Sequence, residues 1–105
     1  MLNQATIVKD DFIVSTHSKV IYEGEPYFNC NAIMMVFLKP RQSEIVDGTL
    51  YANGCPGVNE ASLIVVAKIK KTIFSREPET SDELCAIELL KEKGIEVIFN
   101  PDIIL

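Results

Sequence analysis

The chain has no tryptophan and a single histidine, His17. One imidazole excludes the two-histidine metal motifs and a paired-histidine acid–base site. Cysteine is scarce as well: Cys30, Cys55 and Cys85 are odd in number, widely spaced and form no C-x-x-C pair. That spacing encodes neither a disulfide framework nor a zinc ribbon. Met1–Asp10 lacks the basic start and apolar run of a signal peptide. The longest uninterrupted apolar run, Ala32–Leu38, falls far short of the roughly 20 residues that cross a bilayer. A cytoplasmic location with reduced thiols is the resulting expectation. Basic residues are the minority, 10 Lys and Arg against 15 Asp and Glu, for a net charge of −5. This excludes a general nucleic-acid binder, which needs surplus cations to neutralise phosphates, but not a small anion held at one local site.

What remains is a 105-residue chain, 48% hydrophobic and 24% charged, which is the composition of one globular domain spanning 1–105. Ala5–Lys9 and Phe12–Thr16 are short, β-branched and separated by Asp10-Asp11, which predicts a hairpin. Ser18–Pro26 reads as a loop. Asn29 or Asn31 is placed to cap a helix reaching Leu38, apolar all round and stopped by Pro40. A strand is expected over Gly48–Ala52, a turn cluster at Asn53–Gly57, a second apolar helix over Asn59–Ala67 and a strand over Lys70–Phe74. Ala32–Leu38 and Ser62–Val66 are assigned to the core. The clearest local signal is Thr80-Ser81-Asp82-Glu83, a capping box with acids in the first turn. It opens a helix whose inner stripe is read as Leu84, Ile87 and Leu90, broadened by Cys85, Ala86 and Leu89. Gly94 ends that helix and Ile95–Phe99 follows as a strand. The order β-β-α-β-α-β-α-β predicts a layered α/β domain: a five-stranded mixed sheet with a hairpin edge, parallel later strands and about three helices.

This order, with several local words, resembles the cytidine-deaminase-like superfamily, specifically its deoxycytidylate (dCMP) deaminase branch. The family's first ligand motif, H-A-E-x-N-A-I, resembles Tyr27-Phe28-Asn29-Cys30-Asn31-Ala32-Ile33. Its second, roughly G-x-x-x-Y-x-T-x-x-P-C-x-x-C-A, resembles Gly48–Ala61 around Tyr51 and Pro56. Glu88-Leu89-Leu90-Lys91-Glu92-Lys93-Gly94-Ile95-Glu96-Val97 is similar to the family's last helix and strand. The resemblance runs from about Ala5 to Phe99. It implies a zinc ion held by one His or Cys and two Cys, whose bound water a nearby Glu deprotonates. At those positions this chain carries Tyr27, Gly57, Glu60 and, for the proton shuttle, Asn29. The family's substrate-contacting Asn falls near Ser18. Neither Gly nor Asn replaces a thiolate or a proton-carrying carboxylate, so the catalytic apparatus is expected to be lost. The resemblance also implies a helix ahead of the first strand, for which Met1–Gln4 leave no room. An uncovered sheet face is then expected, met by a second copy or a protein partner.

Against each sharp reading stands a plain one. His17, Cys30, Cys55 and Glu60 offer a rearranged zinc site, although a one-residue slip on a helix turns Cys30 away by about 100°. The plain alternative is a surface histidine and three buried thiols. Asn29 and Glu60 either face each other and hold a nucleotide without reacting, or cap two helices. Tyr27 is placed to fill the space of the metal. Lys68, Lys70 and Lys71 with Arg76, and Lys39 with Arg41, either touch phosphate or form solvated strand ends. The leading functional expectation is a non-catalytic deaminase-like module for interaction, assembly or regulation, without cofactor, working as a homo-oligomer or with a protein partner. Two alternatives stay open: a divergent dCMP- or cytidine-type deaminase with an atypical or partner-completed zinc site, and a non-catalytic nucleotide sensor.

Overall fold

The computed structural model describes residues 4–10, 12–17, 19–20, 29–30, 36–37 and 40–103, giving only the backbone at 15–17, 19–20 and 29–30. Strands β1 (Gln4–Lys9) and β2 (Phe12–His17) form the expected antiparallel hairpin, with Lys9 opposite Phe12. Asp10 turns it at φ 52°, a left-handed conformation that Asp tolerates better than most residues.

Strands β3 (Lys19–Val20) and β4 (Asn29–Cys30) make a separate two-stranded ladder, with Val20 opposite Asn29. This corrects two expectations. Ser18–Pro26 is not all loop, and Asn29 does not cap a helix, because Cys30 after it is still in the strand; Asn31, the other expected cap, lies outside the described residues. Val36 and Phe37 are helical, and Val36 is fully buried, inside the apolar segment assigned to a core helix. The other residues of that segment lie outside the described set.

A single-turn helix, α1 (Gln42–Ile45), was not expected. Its first turn closes where the Arg41 N–H donates to Glu44 Oε1 at 2.8 Å, and it buries Ile45. The rest alternates as anticipated: β5 (Thr49–Ala52), α2 (Val58–Val66), β6 (Lys71–Phe74), α3 (Ser81–Glu92) and β7 (Glu96–Phe99). The five-stranded sheet has the order β2-β1-β5-β6-β7. β1 is antiparallel to both its neighbours, and β5, β6 and β7 are mutually parallel. The two crossovers step in the same direction across the sheet, which sets α2 and α3 on one face, packed on each other.

The core lies between these helices and the sheet. Phe74, Ile7, Leu50, Ile64, Leu90 and Val36 are its largest fully buried side chains. Thr72 is buried in β6, where its hydroxyl donates to the Glu96 carbonyl at 2.9 Å and leaves no unsatisfied group. Two helical faces differ from expectation. α2 buries Ala61 and Ile64 but turns Val66 to solvent, 70% exposed. α3 buries Ala86, Ile87 and Leu90, whereas Leu84 is 51% exposed and Cys85 is exposed. The inner line of α3 runs back from Leu90 through Ile87 to Glu83, one turn earlier at each step, so Leu84 sits about 100° off it. Among the described residues no helix is long and apolar enough to cross a membrane.

Candidate functional site

Open α/β sheets present their ligands outside the carboxyl ends of the parallel strands, where the following helices begin. Here that edge is built by the loop from β5 into α2 and the loop from β6 into α3. The first loop, Asn53–Gly57, is tied down at several points. The Gln4 N–H donates to Asn53 Oδ1 at 2.6 Å, and the Gly54 N–H donates to Ser75 Oγ at 2.6 Å. Gly54 adopts φ 113°, which a side chain would rarely allow. The chain then buries Cys55 and Pro56 before Gly57 starts α2.

Gly57 is the N-cap of α2 and Glu60 its third residue. The Gly57 N–H points to Glu60 Oε1 at 3.4 Å, half of a capping box whose other half Gly57, lacking a side chain, does not return. Asp82, from the first turn of α3, rests against Gly57. A Cβ placed there would collide with Asp82 Oδ2 and come within 3.6 Å of Glu60 Oε1. The carboxyl groups of both helix starts therefore close over the position.

The second loop carries the strongest polar contact. Arg76 Nη2 donates to Glu83 Oε2 at 2.6 Å, and Nη1 reaches Glu83 Oε1 at 3.1 Å and Glu79 Oε1 at 2.6 Å. Glu83 Oε1 also accepts from the N–H groups of Glu79 and Thr80, while Thr80 Oγ1 accepts from the Glu83 N–H, which completes the expected capping box. The Arg76 hydrogen bonds, helped by the backbone donors at Glu79 and Thr80, hold the Glu83 carboxyl down to about 2. Cys55 goes the other way: burial above all, then the charge on Glu83, pushes its thiol up to about 11. It is a protonated thiol at neutral pH and a poor nucleophile.

The predicted residues distribute unevenly. Gly57 and Glu60 come together at the start of α2. Asn29 and Cys30 lie in β4 and His17 ends β2, with only their backbones described; Ser18 and Tyr27 lie outside the described residues. Of the three thiols expected to be buried, Cys55 is and Cys85 is not, because Cys85 falls on the outer side of α3. The basic group of Lys68, Lys70, Lys71 and Arg76 is divided: the lysines precede or open β6, whereas Arg76 follows it and is committed to Glu79 and Glu83. Sequence reasoning missed the Arg76–Glu83 pair and the Asp82 contact. Glu83 was recognisable, since it stands one turn before Ile87 on the buried line. Nothing in the sequence marked Asp82 as the neighbour of Gly57.

A zinc ion does not fit the described part of this edge. Gly57 offers no donor atom and a side chain there meets Asp82, Glu60 faces the Gly57 N–H, and Cys55 is buried away from both. Among the described residues no three His, Cys, Asp or Glu side chains are grouped to hold a metal.

No protein-family model and no curated protein sequence matches the chain. Solved structures do match. A dCMP deaminase from the cyanophage S-TIM5, in complex with dCMP and dUMP, superposes with a TM-score of 0.73 at 20% identity, over 90% of this chain and 77% of that one. RibD from Acinetobacter baumannii superposes with a TM-score of 0.71 at 19% identity, over 91% of this chain but only 27% of that one. A Thermotoga maritima diaminohydroxyphosphoribosylaminopyrimidine deaminase/reductase gives 0.69 at 21% identity, over 91% of this chain and 28% of that one. The chain has the cytidine-deaminase-like α/β fold, with its mixed five-stranded sheet, as the resemblance implied.

Proposed function

We propose that this chain is a non-catalytic, deaminase-like module that works through association with a second copy or a protein partner. The observation that carries this reading is the start of α2. The two positions that would supply metal thiolates are Gly57 and Glu60, and Asp82 rests where a Gly57 side chain would stand. Hydrolytic deamination on this fold needs a metal-activated water and a carboxylate that carries its proton. At the aligned positions Glu60 alone carries a group that ligates zinc, and Asn29 stands in place of the proton-carrying carboxylate. An apolar cavity of about 200 Å³, bordered by Phe37, Pro40, Ile45, Leu63 and the exposed Val66, lends support to the associative part of the reading.

The test combines zinc content per chain with turnover of dCMP and of cytidine, on protein purified without chelator. Zinc well below one ion per chain, no product, and a solution mass above that of the monomer are expected. Turnover that a chelator abolishes would overturn the non-catalytic reading, and a strictly monomeric mass without partner would overturn the associative one.

A further inference from the structure

A second cavity lies at the opposite end of the sheet, where the helices end and the parallel strands begin. Its volume is about 280 Å³. Lys68, Lys70 and Lys93 line it together with Asp47, and the buried Ile69 and Ile95 contribute apolar surface. Three lysines against one aspartate give the lining a net positive formal charge on a chain of net charge −5, set beside the partly negative carbonyl ends of α2 and α3. Among the described residues the ion pairs are those of Arg76, and none involves Lys68, Lys70 or Lys93.

Lys68 sets this cavity apart from an ordinary lysine-bearing surface. α2 and α3 end in the same way. The Ile69 N–H donates to the Ile64 carbonyl and the Lys68 N–H to Val65; equivalently, Ile95 donates to Leu90 and Gly94 to Lys91. In both turns the residue after the helix is left-handed. For α3 it is Gly94 at φ 79°, the usual solution, and for α2 it is Lys68 at φ 60°. A non-glycine residue there is strained. Lys91 serves the dipole of α3 from its last turn, whereas α2 has no basic residue in its last turn and carries Lys68 just beyond it. Lys68 thus joins the cavity from a left-handed position, as Asp47 does at φ 63°.

We propose that this cavity binds a small organic phosphate monoester, its phosphate held by Lys68, Lys70 and Lys93 and its carbon body against Ile69 and Ile95. Asp47 opposes the phosphate and limits the affinity. The site stands apart from the carboxyl-end edge and does not depend on the function proposed there.

Calorimetry at low ionic strength with phenyl phosphate, and separately with inorganic phosphate, tests it. Saturable binding of one phenyl phosphate per chain is expected, tighter than inorganic phosphate. Lys68→Gly is expected to weaken it about tenfold, the loss of one charge-assisted contact. The same variant is expected to raise the melting temperature by several degrees, since it relieves the left-handed strain. That rise separates lost binding from lost folding. Lys93→Gln is expected to weaken binding and Asp47→Asn to tighten it. Absence of saturable phenyl phosphate binding, or binding that Lys68→Gly and Lys93→Gln leave unchanged, would overturn the site. Equal affinity for inorganic phosphate would overturn its assignment to an organic ester.

Discussion

Replacing Glu83 by Gln tests the polar junction that joins the β6–α3 loop to the start of α3. The substitution removes the charge but keeps an amide oxygen for the Thr80 N–H, because Gln also serves in a capping box. What is lost is the charged, two-point contact with Arg76, at 2.6 and 3.1 Å. A carboxyl held at about 2 instead of 4.5 sets a ceiling of about 3 kcal/mol at neutral pH. The Arg76 side chain is 32% exposed and water screens it, so the expected loss is about 1–2 kcal/mol, or about 5–10 °C in melting temperature.

The sign with pH follows from the direction of the shift. The folded carboxyl titrates below its unfolded counterpart, so its stabilisation is complete above about 4.5 and fades as the pH falls towards about 2. Urea unfolding of both proteins at pH 7, 5, 3 and 2 should show a constant gap at the two higher values that closes at the lowest. Equal urea midpoints at pH 7, or a gap as wide at pH 2 as at pH 7, would refute the reasoning.

Three further outcomes are expected. Iodoacetamide at pH 8 should label Cys85 in the native protein and leave Cys55 unmodified until the chain unfolds, because Cys85 is exposed and the buried Cys55 thiol sits at about 11; equal labelling of the two peptides by mass spectrometry would contradict this. Gly94→Ala should cost about 1 kcal/mol in chemical unfolding through backbone strain alone, since a Cβ there meets nothing within 4 Å and φ is 79°. Gly57→Ala should cost less than about 1 kcal/mol in chemical unfolding, because the atom it meets is the end of the exposed Asp82 side chain, which can turn aside; a loss of several kcal/mol would show that Asp82 is held rigidly over the start of α2.

The parts of the fold that could be read in advance are those that local chemistry dictates. The Asp10-Asp11 turn between β-branched runs, the Thr80–Glu83 box and Gly94 each fix one backbone event, and all three occur at the expected place. The order of elements then restricted the sheet to its observed topology. Faces were less legible where apolar residues exceed what one face can bury. Val66 and Leu84 continue hydrophobic runs, yet each lies on a side of its helix that the sheet does not reach. β3 and β4 were invisible because a two-residue strand carries no period to detect. Of the candidate site, Gly57 and Glu60 were singled out through the family motif that Gly48–Ala61 resembles. The Asp82 contact was not, because it joins the starts of two helices whose proximity only the packing of α2 on α3 creates.

The two ends of the sheet use charge in opposite ways. Helix starts carry partial positive charge and free N–H groups, which makes the carboxyl end of a parallel sheet the natural seat for an anionic or metal-linked ligand. Here that demand is met from within: Glu60 faces the Gly57 N–H, Thr80 and Glu83 cap α3, and Arg76 offsets the acids gathered there. An incoming ligand at the described part of this edge would compete with these tethered groups. At the helix ends the balance is reversed, with three lysines left unpaired among the described residues around an open cavity. A ligand screen that included the helix ends would therefore sample described lysines outside any ion pair as well as the capped helix starts.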